Sequence, residues 1–125
     1  MSPTYSNGDY LFVNKFNHVF SRGDVVIFHD SNTGRNYIKR IIGLPNEKIE
    51  IHLDVVSVNG QRLNEPYIKG KTIGDSSFQL SADQYFMMGD NREHSTDSRT
   101  LGPILVTEID GKIFKNFGTY LFLNK

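Results

Sequence analysis

Residues 24–63 read DVVIFHDSNTGRNYIKRIIGLPNEKIEIHLDVVSVNGQRL, and this stretch decides the fold class. Short runs rich in β-branched and aromatic residues alternate in it with turn-forming sequences, as is typical of strands joined by tight turns. The pair Asn59-Gly60 accepts the positive φ angles of a tight hairpin, from which the chain returns through residues 61–63. The predicted strands of this stretch are residues 24–29, 36–42, 48–53 and 55–58.

The flanking sequence extends the same pattern. Residues 10–13 and 85–88 are further apolar strand candidates, and helical periodicity is weak and confined to residues 106–109. Residues 65–83 are richer in polar residues and glycine, which predicts a surface excursion. A chain of 125 residues has the size of one domain. We therefore predict one mostly β domain, 1–125, with antiparallel sheets wrapped around one core and a small insert at about 65–83.

Composition excludes several classes of function. The chain has 14 Lys plus Arg and 14 Asp plus Glu, so no net field favours nucleic acid. Cysteine is absent, which excludes disulfides and thiolate metal sites. No run approaches the roughly 20 apolar residues of a membrane-spanning helix. The histidines lack metal-ligand spacing and are interpreted as packed or solvated; they are His18, His29, His52 and His94.

Lys39 lies in a predicted strand and is a candidate base. Strand alternation places it on one face with Tyr37 and Ile41, while Ile38 and Arg40 lie on the other face. Apolar surroundings disfavour an ammonium, and a neutral amine can accept a proton from a hydroxyl. These residues alone favour the alternative, in which Lys39 and Arg40 only extend from an edge strand into water.

A polar segment, residues 89–99, directly follows the last apolar strand. It reads GDNREHSTDSR, and residues at a strand end are well placed to form the wall of a site. Asp97 and Arg99 can form a charge-assisted pair, and Ser95 can orient a neighbouring amine. The alternative is a turn network in which Asp90, Asn91, Ser95 and Asp97 only cap backbone amides.

Three segments, in order, resemble the signature boxes of the type I signal peptidases, membrane-bound serine proteases that remove signal peptides from exported proteins. The resemblance runs from Met1 to about Ile113. The three boxes are Met1-Ser2-Pro3-Thr4, residues 37–45 (YIKRIIGLP) and residues 89–99. The further matches are Gly8-Asp9, Arg22-Gly23-Asp24-Val25-Val26, Val58-Asn59-Gly60 and Asn64-Glu65-Pro66-Tyr67.

The resemblance implies a serine and lysine dyad without metal or cofactor. Lys39 would be the general base, and Ser95 would hydrogen-bond its amine. Asp97 and Arg99 would form the structural pair behind that wall, with Asp90 and Asn91 as further support. A weak hydroxyl nucleophile needs such an adjacent base.

Substrate, location and partners are also implied by the resemblance. The cleft for small side chains, suited to Ala-x-Ala cleavage sites, would be lined by Met1, Ser2, Tyr37 and Ile38. The partners would be signal peptides or exported precursors, and no nucleic acid. The domain would lie on the extracytoplasmic face of a bacterial membrane, held by an anchor that is not part of these residues.

The sequence departs from the family pattern at three places. The family's nucleophile immediately precedes the Met-x-Pro-Thr sequence, so we expect it ahead of Met1 and expect the chain as written to be inactive. Asn46-Glu47 stands where the family usually has Gly-Asp. The short stretch between Pro66 and Gly89 implies a signal peptidase-like fold with a minimal second subdomain, as in Gram-positive enzymes.

Two other classes of protein stay open on these grounds. One is a signal peptidase-like protein without a nucleophile that acts as an assembly factor for exported or surface proteins, for example of pili. The other is a relative of the self-cleaving repressors, which use a similar dyad but lack the 89–99 box. Aromatic residues near the C-terminus are interpreted as core, with contact to a membrane surface as the alternative; they are Phe114, Phe117, Tyr120 and Phe122.

Overall fold

A computed structural model describes residues 11–14 and 19–115 of the chain, and ten strands make up nearly all the regular structure of these residues. The helical elements are a single turn, α1 (Ser98–Leu101), and a 3₁₀ turn (Val106–Glu108). Among the described residues, no helix has the length and apolar character that a bilayer crossing needs. The strands are β1 (Leu11–Asn14), β2 (Val25–Asp30), β3 (Arg35–Gly43), β4 (Lys48–His52), β5 (Val55–Val58), β6 (Gln61–Arg62), β7 (Ser76–Gln79), β8 (Gln84–Met88), β9 (Ile104–Leu105) and β10 (Ile109–Lys115).

The strands form two antiparallel sheets. The large sheet has the order β1-β10-β2-β3-β8-β9, and the small sheet has the order β6-β5-β4-β7. Neighbouring strands in both sheets pair antiparallel. The prediction of a mostly β, antiparallel fold is therefore confirmed.

The tight hairpin predicted at Asn59-Gly60 is present between β5 and β6. Both residues have positive φ, 50° and 82°, as a two-residue turn of this kind requires. The Asn59 side chain also accepts a hydrogen bond from the amide of Lys48 at 2.8 Å, which ties the turn to β4. The local sequence therefore fixes both the turn and its place in the small sheet.

Alternation along β3 and β8 divides the buried apolar side chains into two main clusters rather than one. On β8, Tyr85 and Met87 face one cluster, while Phe86 and Met88 face the other. The large-sheet cluster consists of Phe20, Val26, Phe28, Ile41, Tyr85, Met87, Ile104 and Ile109. The small-sheet cluster consists of Ile42, Ile49, Ile51, Val56, Val58, Leu80, Phe86 and Met88. β3 and β8 are thus shared by both clusters.

The segment predicted as a surface excursion is only partly that. Most of residues 65–83 are exposed or half-buried, but Thr72 and Leu80 are buried. Residues 76–79 form β7, which pairs with β4 at the edge of the small sheet. The strand was not predicted because it is short, polar and half-buried at alternate positions only.

The turn between β3 and β4 explains the departure at Asn46-Glu47. Asn46 has a φ of 70°, a left-handed conformation that asparagine tolerates better than most residues other than glycine. The Glu47 carboxylate accepts a hydrogen bond from the Leu44 amide at 2.6 Å and two from the Arg22 guanidinium at 2.7 Å. Arg22 also donates to the carbonyl of Ile42 at 2.9 Å. Asn46 and Glu47 therefore close the turn in place of the family's usual Gly-Asp.

Gly43→Ala should destabilise the small-sheet cluster. A Cβ at position 43 would lie 2.5 Å from Ile49 Cδ1 and 3.0 Å from Leu80 Cδ1. Overpacking of this kind costs about 1–3 kcal/mol, which urea unfolding followed by circular dichroism would measure. Adding Ile49→Val removes the clashing methyl group, so the double variant should recover part of the loss. An unchanged unfolding midpoint for Gly43→Ala would contradict the described packing.

Candidate active site

Lys39 and Ser95 meet where the β3–β8 ladder ends. Arg40 pairs with Met88 in this ladder, so Lys39 and Gly89 occupy the next position on each strand. The Lys39 Nζ donates a hydrogen bond to the Ser95 Oγ at 2.8 Å, across 56 residues of sequence. Lys39 is half-buried and makes this contact instead of extending freely into water, so the expected lysine–serine contact is present.

The carboxylate of Asp97 anchors the site from behind. It is fully buried and accepts a hydrogen bond from the Ser95 Oγ at 2.9 Å. It also accepts one from the Gly89 amide and two from the Arg99 guanidinium, all at 2.9 Å. The expected Asp97–Arg99 pair is thus present. Asp97 also caps α1 through the Arg99 amide at 3.1 Å, so backbone capping and site support coexist.

The hydrogen bonds run in one direction through the site. The lysine donates to Ser95, and Ser95 in turn donates its only hydroxyl proton to Asp97. Because the Ser95 proton is committed to the carboxylate, a lone pair of its oxygen is left to accept from Lys39. Ser95 therefore orients the amine of Lys39.

The electrostatic environment lowers the pKa of the Lys39 amine. Burial lowers the pKa of Lys39, and the positive charge of Arg99 lowers it further, against the raising effect of Asp97. Burial alone would raise the pKa of Asp97, but the hydrogen bonds from Arg99 and the Gly89 amide outweigh it and hold that pKa below its usual value. The site therefore combines an ionised carboxylate with a lysine that loses its proton more readily than a free one.

Gly89 lies in close contact with both members of this pair. A Cβ at this position would lie 2.1 Å from the Ser95 Oγ and 3.3 Å from the Lys39 Nζ. A side chain of any kind would therefore displace Ser95. Sequence reasoning did not single out Gly89 as a site residue, and the available signal was a glycine directly after an apolar strand.

Asp90 and Asn91 support the site in different ways. The Asp90 carboxylate, also fully buried, accepts two hydrogen bonds from the Arg40 guanidinium at 2.9 and 2.8 Å. Arg40 also donates to the carbonyl of Gly23 at 2.8 Å. Asn91 contributes through its backbone, which forms a parallel bridge with Lys69. Arg40, the residue that follows Lys39, is thus bound to the 89–99 segment as well.

The remaining predicted residues are placed as follows. Tyr37 lies two residues before Lys39 on β3 and stacks on Phe28 at 5.5 Å between ring centroids. Ile38 points to the opposite face, where it packs against Val25 and Ile113. Met1 and Ser2 lie outside the described residues, so the cleft they were predicted to line is not described.

Two of the histidines make side-chain contacts with residues outside this site. His29 contacts Asn36, and His52 contacts Asp75. In the described part of the chain no three His, Cys, Asp or Glu side chains come together to hold a metal ion. His18, and the side chains of Phe114, Phe117, Tyr120 and Phe122, lie outside what the structure describes.

Gly89→Ala should break the lysine–serine contact. The introduced methyl group would displace Ser95, at a cost of about 1–3 kcal/mol, and the Lys39 amine would lose its hydrogen-bond acceptor. Urea unfolding measures the first effect, and a crystal structure of the variant shows the second. Adding Ser95→Gly removes the clashing atoms, so stability should return without the hydrogen bond. Retention of the 2.8 Å contact in Gly89→Ala would contradict the described geometry.

Asp97→Asn should destabilise the protein in a pH-dependent way. The folded-state pKa of Asp97 is lowered. Its contribution to stability is therefore complete above the unfolded-state value of about 3.9 and is lost as the pH falls through the folded-state pKa. Removing one partner of a buried pair costs about 3 kcal/mol or more, so the gap between the variant and the unmutated protein should be large at neutral pH. Thermal unfolding at several pH values should show that gap shrinking on acidification; a constant gap would contradict the prediction.

A family model and individual relatives both relate this chain to signal peptidases. The family model described as signal peptidase, peptidase S26, matches residues 1–117. Signal peptidase I P of Bacillus subtilis subsp. natto is 43% identical over 113 residues, 79% of this chain and 61% of that protein. Signal peptidase I U of Bacillus subtilis strain 168 is 37% identical over 112 residues, 79% of this chain and 60% of that protein. The chain thus spans about three fifths of the length of these relatives.

A solved structure of a signal peptidase I is also similar to this chain. The crystal structure of a signal peptidase I from Enterococcus faecalis V583 has a TM-score of 0.68 and 28% sequence identity, and the match covers 75% of this chain and 96% of that chain. It agrees with the two-sheet architecture described above. The family model matches residues 1–117, and the Bacillus relatives and this crystal structure agree with that match. The chain therefore belongs to the signal peptidase family, peptidase S26.

Proposed function

We propose that this chain is the catalytic domain of a type I signal peptidase, in which Lys39 acts as general base toward a serine immediately ahead of Met1 in the whole protein. The observation that carries the proposal is the oriented contact of the Lys39 amine with Ser95 and the buried Asp97. A lysine with a lowered pKa can take the place that histidine has in other serine proteases.

The proposed reaction is acyl transfer by the serine. Neutral Lys39 removes the hydroxyl proton as the serine oxygen attacks the scissile carbonyl, and the resulting ammonium donates that proton to the leaving amine. Lys39 then removes a proton from the water that attacks the acyl-enzyme and donates it to the serine oxygen as the acyl–serine bond breaks, which restores the serine hydroxyl and the neutral amine. Ser95 and Asp97 hold the amine in one orientation through both steps, while Arg99 offsets the carboxylate charge that would otherwise keep Lys39 protonated.

The proposed substrates are exported precursors that carry signal peptides, as the names of the relatives indicate. Tyr37 and Ile38 precede the base on β3, where they would line the cleft for small side chains together with Met1 and Ser2. The domain would act at the extracytoplasmic face of the bacterial membrane, held there by a membrane anchor. A non-catalytic assembly factor would not need the series of hydrogen bonds from Lys39 through Ser95 to Asp97. The presence of these hydrogen bonds favours the protease.

Substitution of Lys39 should abolish peptide cleavage. The test uses the anchored protein with its native segment ahead of Met1 and a signal peptide substrate. Lys39→Ala should lower kcat/KM by about 10²–10⁴-fold, the usual contribution of a general base. Lys39→Arg should be equally impaired because a guanidinium stays protonated. Ser95→Ala should lose less, since it loosens the amine without deleting it.

Lys48→Ala is the matched control, because Lys48 is an exposed lysine on β4 and should be dispensable. Full activity of Lys39→Ala would refute the proposed mechanism. An inactive unmutated protein whose residue ahead of Met1 is not serine would instead support the assembly factor.

A further inference from the structure

Arg92 is buried directly behind the lysine–serine site. It is only 2% exposed, and its Nε donates a hydrogen bond to the carbonyl of Gly89 at 2.8 Å. One terminal nitrogen donates to Glu65 and to the Thr72 hydroxyl, each at 3.1 Å, and the other donates to Glu65. The guanidinium thus links Gly89 to the chain between β6 and β7.

Glu65 supplies the charge that allows this burial. Its side chain is 8% exposed and both of its carboxylate oxygens accept from Arg92. A buried guanidinium without a counter-charge is strongly unfavourable. Whether Arg92 can stay beneath Gly89 therefore depends on Glu65.

Residues 65–69, here called the bracing segment, make three further contacts, one with Arg40 on β3 and two with the 89–99 segment. The Tyr67 ring lies 4.2 Å from the guanidinium carbon of Arg40, and burial raises the pKa of Tyr67 to about 12, so the phenol stays neutral. Lys69 donates its amide to the carbonyl of Asp90 at 2.7 Å and accepts the Arg92 amide at 2.9 Å. The bracing segment therefore holds the backbone of Asp90 and Arg92, directly after Gly89.

Gly89 is then fixed on both sides of its α-carbon. Asp97 holds its amide, and Arg92 holds its carbonyl. Gly89 lies against both Ser95 and Lys39, since a Cβ on it would meet the Ser95 Oγ and the Lys39 Nζ, so a rotation at Gly89 would disturb the contact between them. The charged groups that most affect the pKa of the Lys39 amine are Asp97, Arg99 and Asp90. Glu65 reaches Lys39 through contacts, because it binds Arg92 and Arg92 binds the Gly89 carbonyl.

We propose that Glu65 is a positioning residue of this site: through the buried Arg92 guanidinium it fixes the Gly89 carbonyl and thereby the lysine–serine contact. Its consequence for catalysis rests on the proposed function, whereas its effect on the Lys39 amine does not. Loss of the Glu65 charge should loosen Gly89, admit water to Lys39 and reduce the burial that disfavours its ammonium.

The test is the pKa of the Lys39 amine, measured by NMR titration of the isotope-labelled 125-residue chain. In Glu65→Gln this pKa should shift upward, toward the ordinary lysine value of about 10.4. Glu47→Gln is the matched control, because Glu47 makes the same two-pronged contact with Arg22 at the β3–β4 turn. That variant should leave the Lys39 pKa unchanged.

A second variant separates positioning from stability. Replacing the pair together, Glu65→Leu with Arg92→Met, leaves no buried charge unpaired, and such replacements are often neutral for stability. The double variant should unfold near the temperature of the unmutated protein and still show the raised Lys39 pKa. In the anchored protein, Glu65→Gln should move the acidic limb of the kcat/KM profile to higher pH.

The outcomes distinguish this proposal from the proposed function. A Lys39 pKa that is low in the unmutated chain and equally low in folded Glu65→Gln and in the double variant would overturn the positioning role alone. An ordinary Lys39 pKa in the unmutated chain would overturn the general-base assignment, and the positioning role with it.

Discussion

A single buried carboxylate, that of Asp97, is the interaction on which the site depends. Its two oxygens accept hydrogen bonds from the Gly89 amide, the Ser95 hydroxyl and the Arg99 guanidinium, and Asp97 is also the N-cap of α1. A carboxylate can be buried at this depth only when such donors are present. The strand end, the serine and the short helix are consequently held in one arrangement.

The same arrangement resolves an electrostatic conflict. An ionised carboxylate two hydrogen bonds away from an amine would normally keep that amine protonated. Arg99 is paired with Asp97 and contributes an opposing positive charge, so burial remains the dominant influence on the pKa of Lys39. That pKa is therefore lowered despite the nearby carboxylate, because the carboxylate is itself paired.

The sequence allowed the fold and part of the site to be predicted, for identifiable reasons. β-branched runs and the Asn59-Gly60 turn are local signals, and alternation correctly placed Tyr37 and Ile41 on one face of β3. The Lys39–Ser95 contact spans 56 residues, so only the family resemblance pointed to it. Gly89 was missed because a glycine acts through the space it leaves, which appears only as a distance. The Glu65–Arg92 pair was missed because nothing in either local sequence indicates its partner.

β3 and β8 each have side chains in both hydrophobic clusters, and this has a consequence for folding cooperativity. Detaching the small sheet would expose Ile42, Phe86 and Met88, which lie on the same two strands that carry the site. The small sheet therefore cannot open as an independent foldon without weakening the strands beneath Lys39 and Gly89. The site therefore lies on strands that the small sheet helps to keep folded, and substitutions in the small sheet can reach it through this shared backbone.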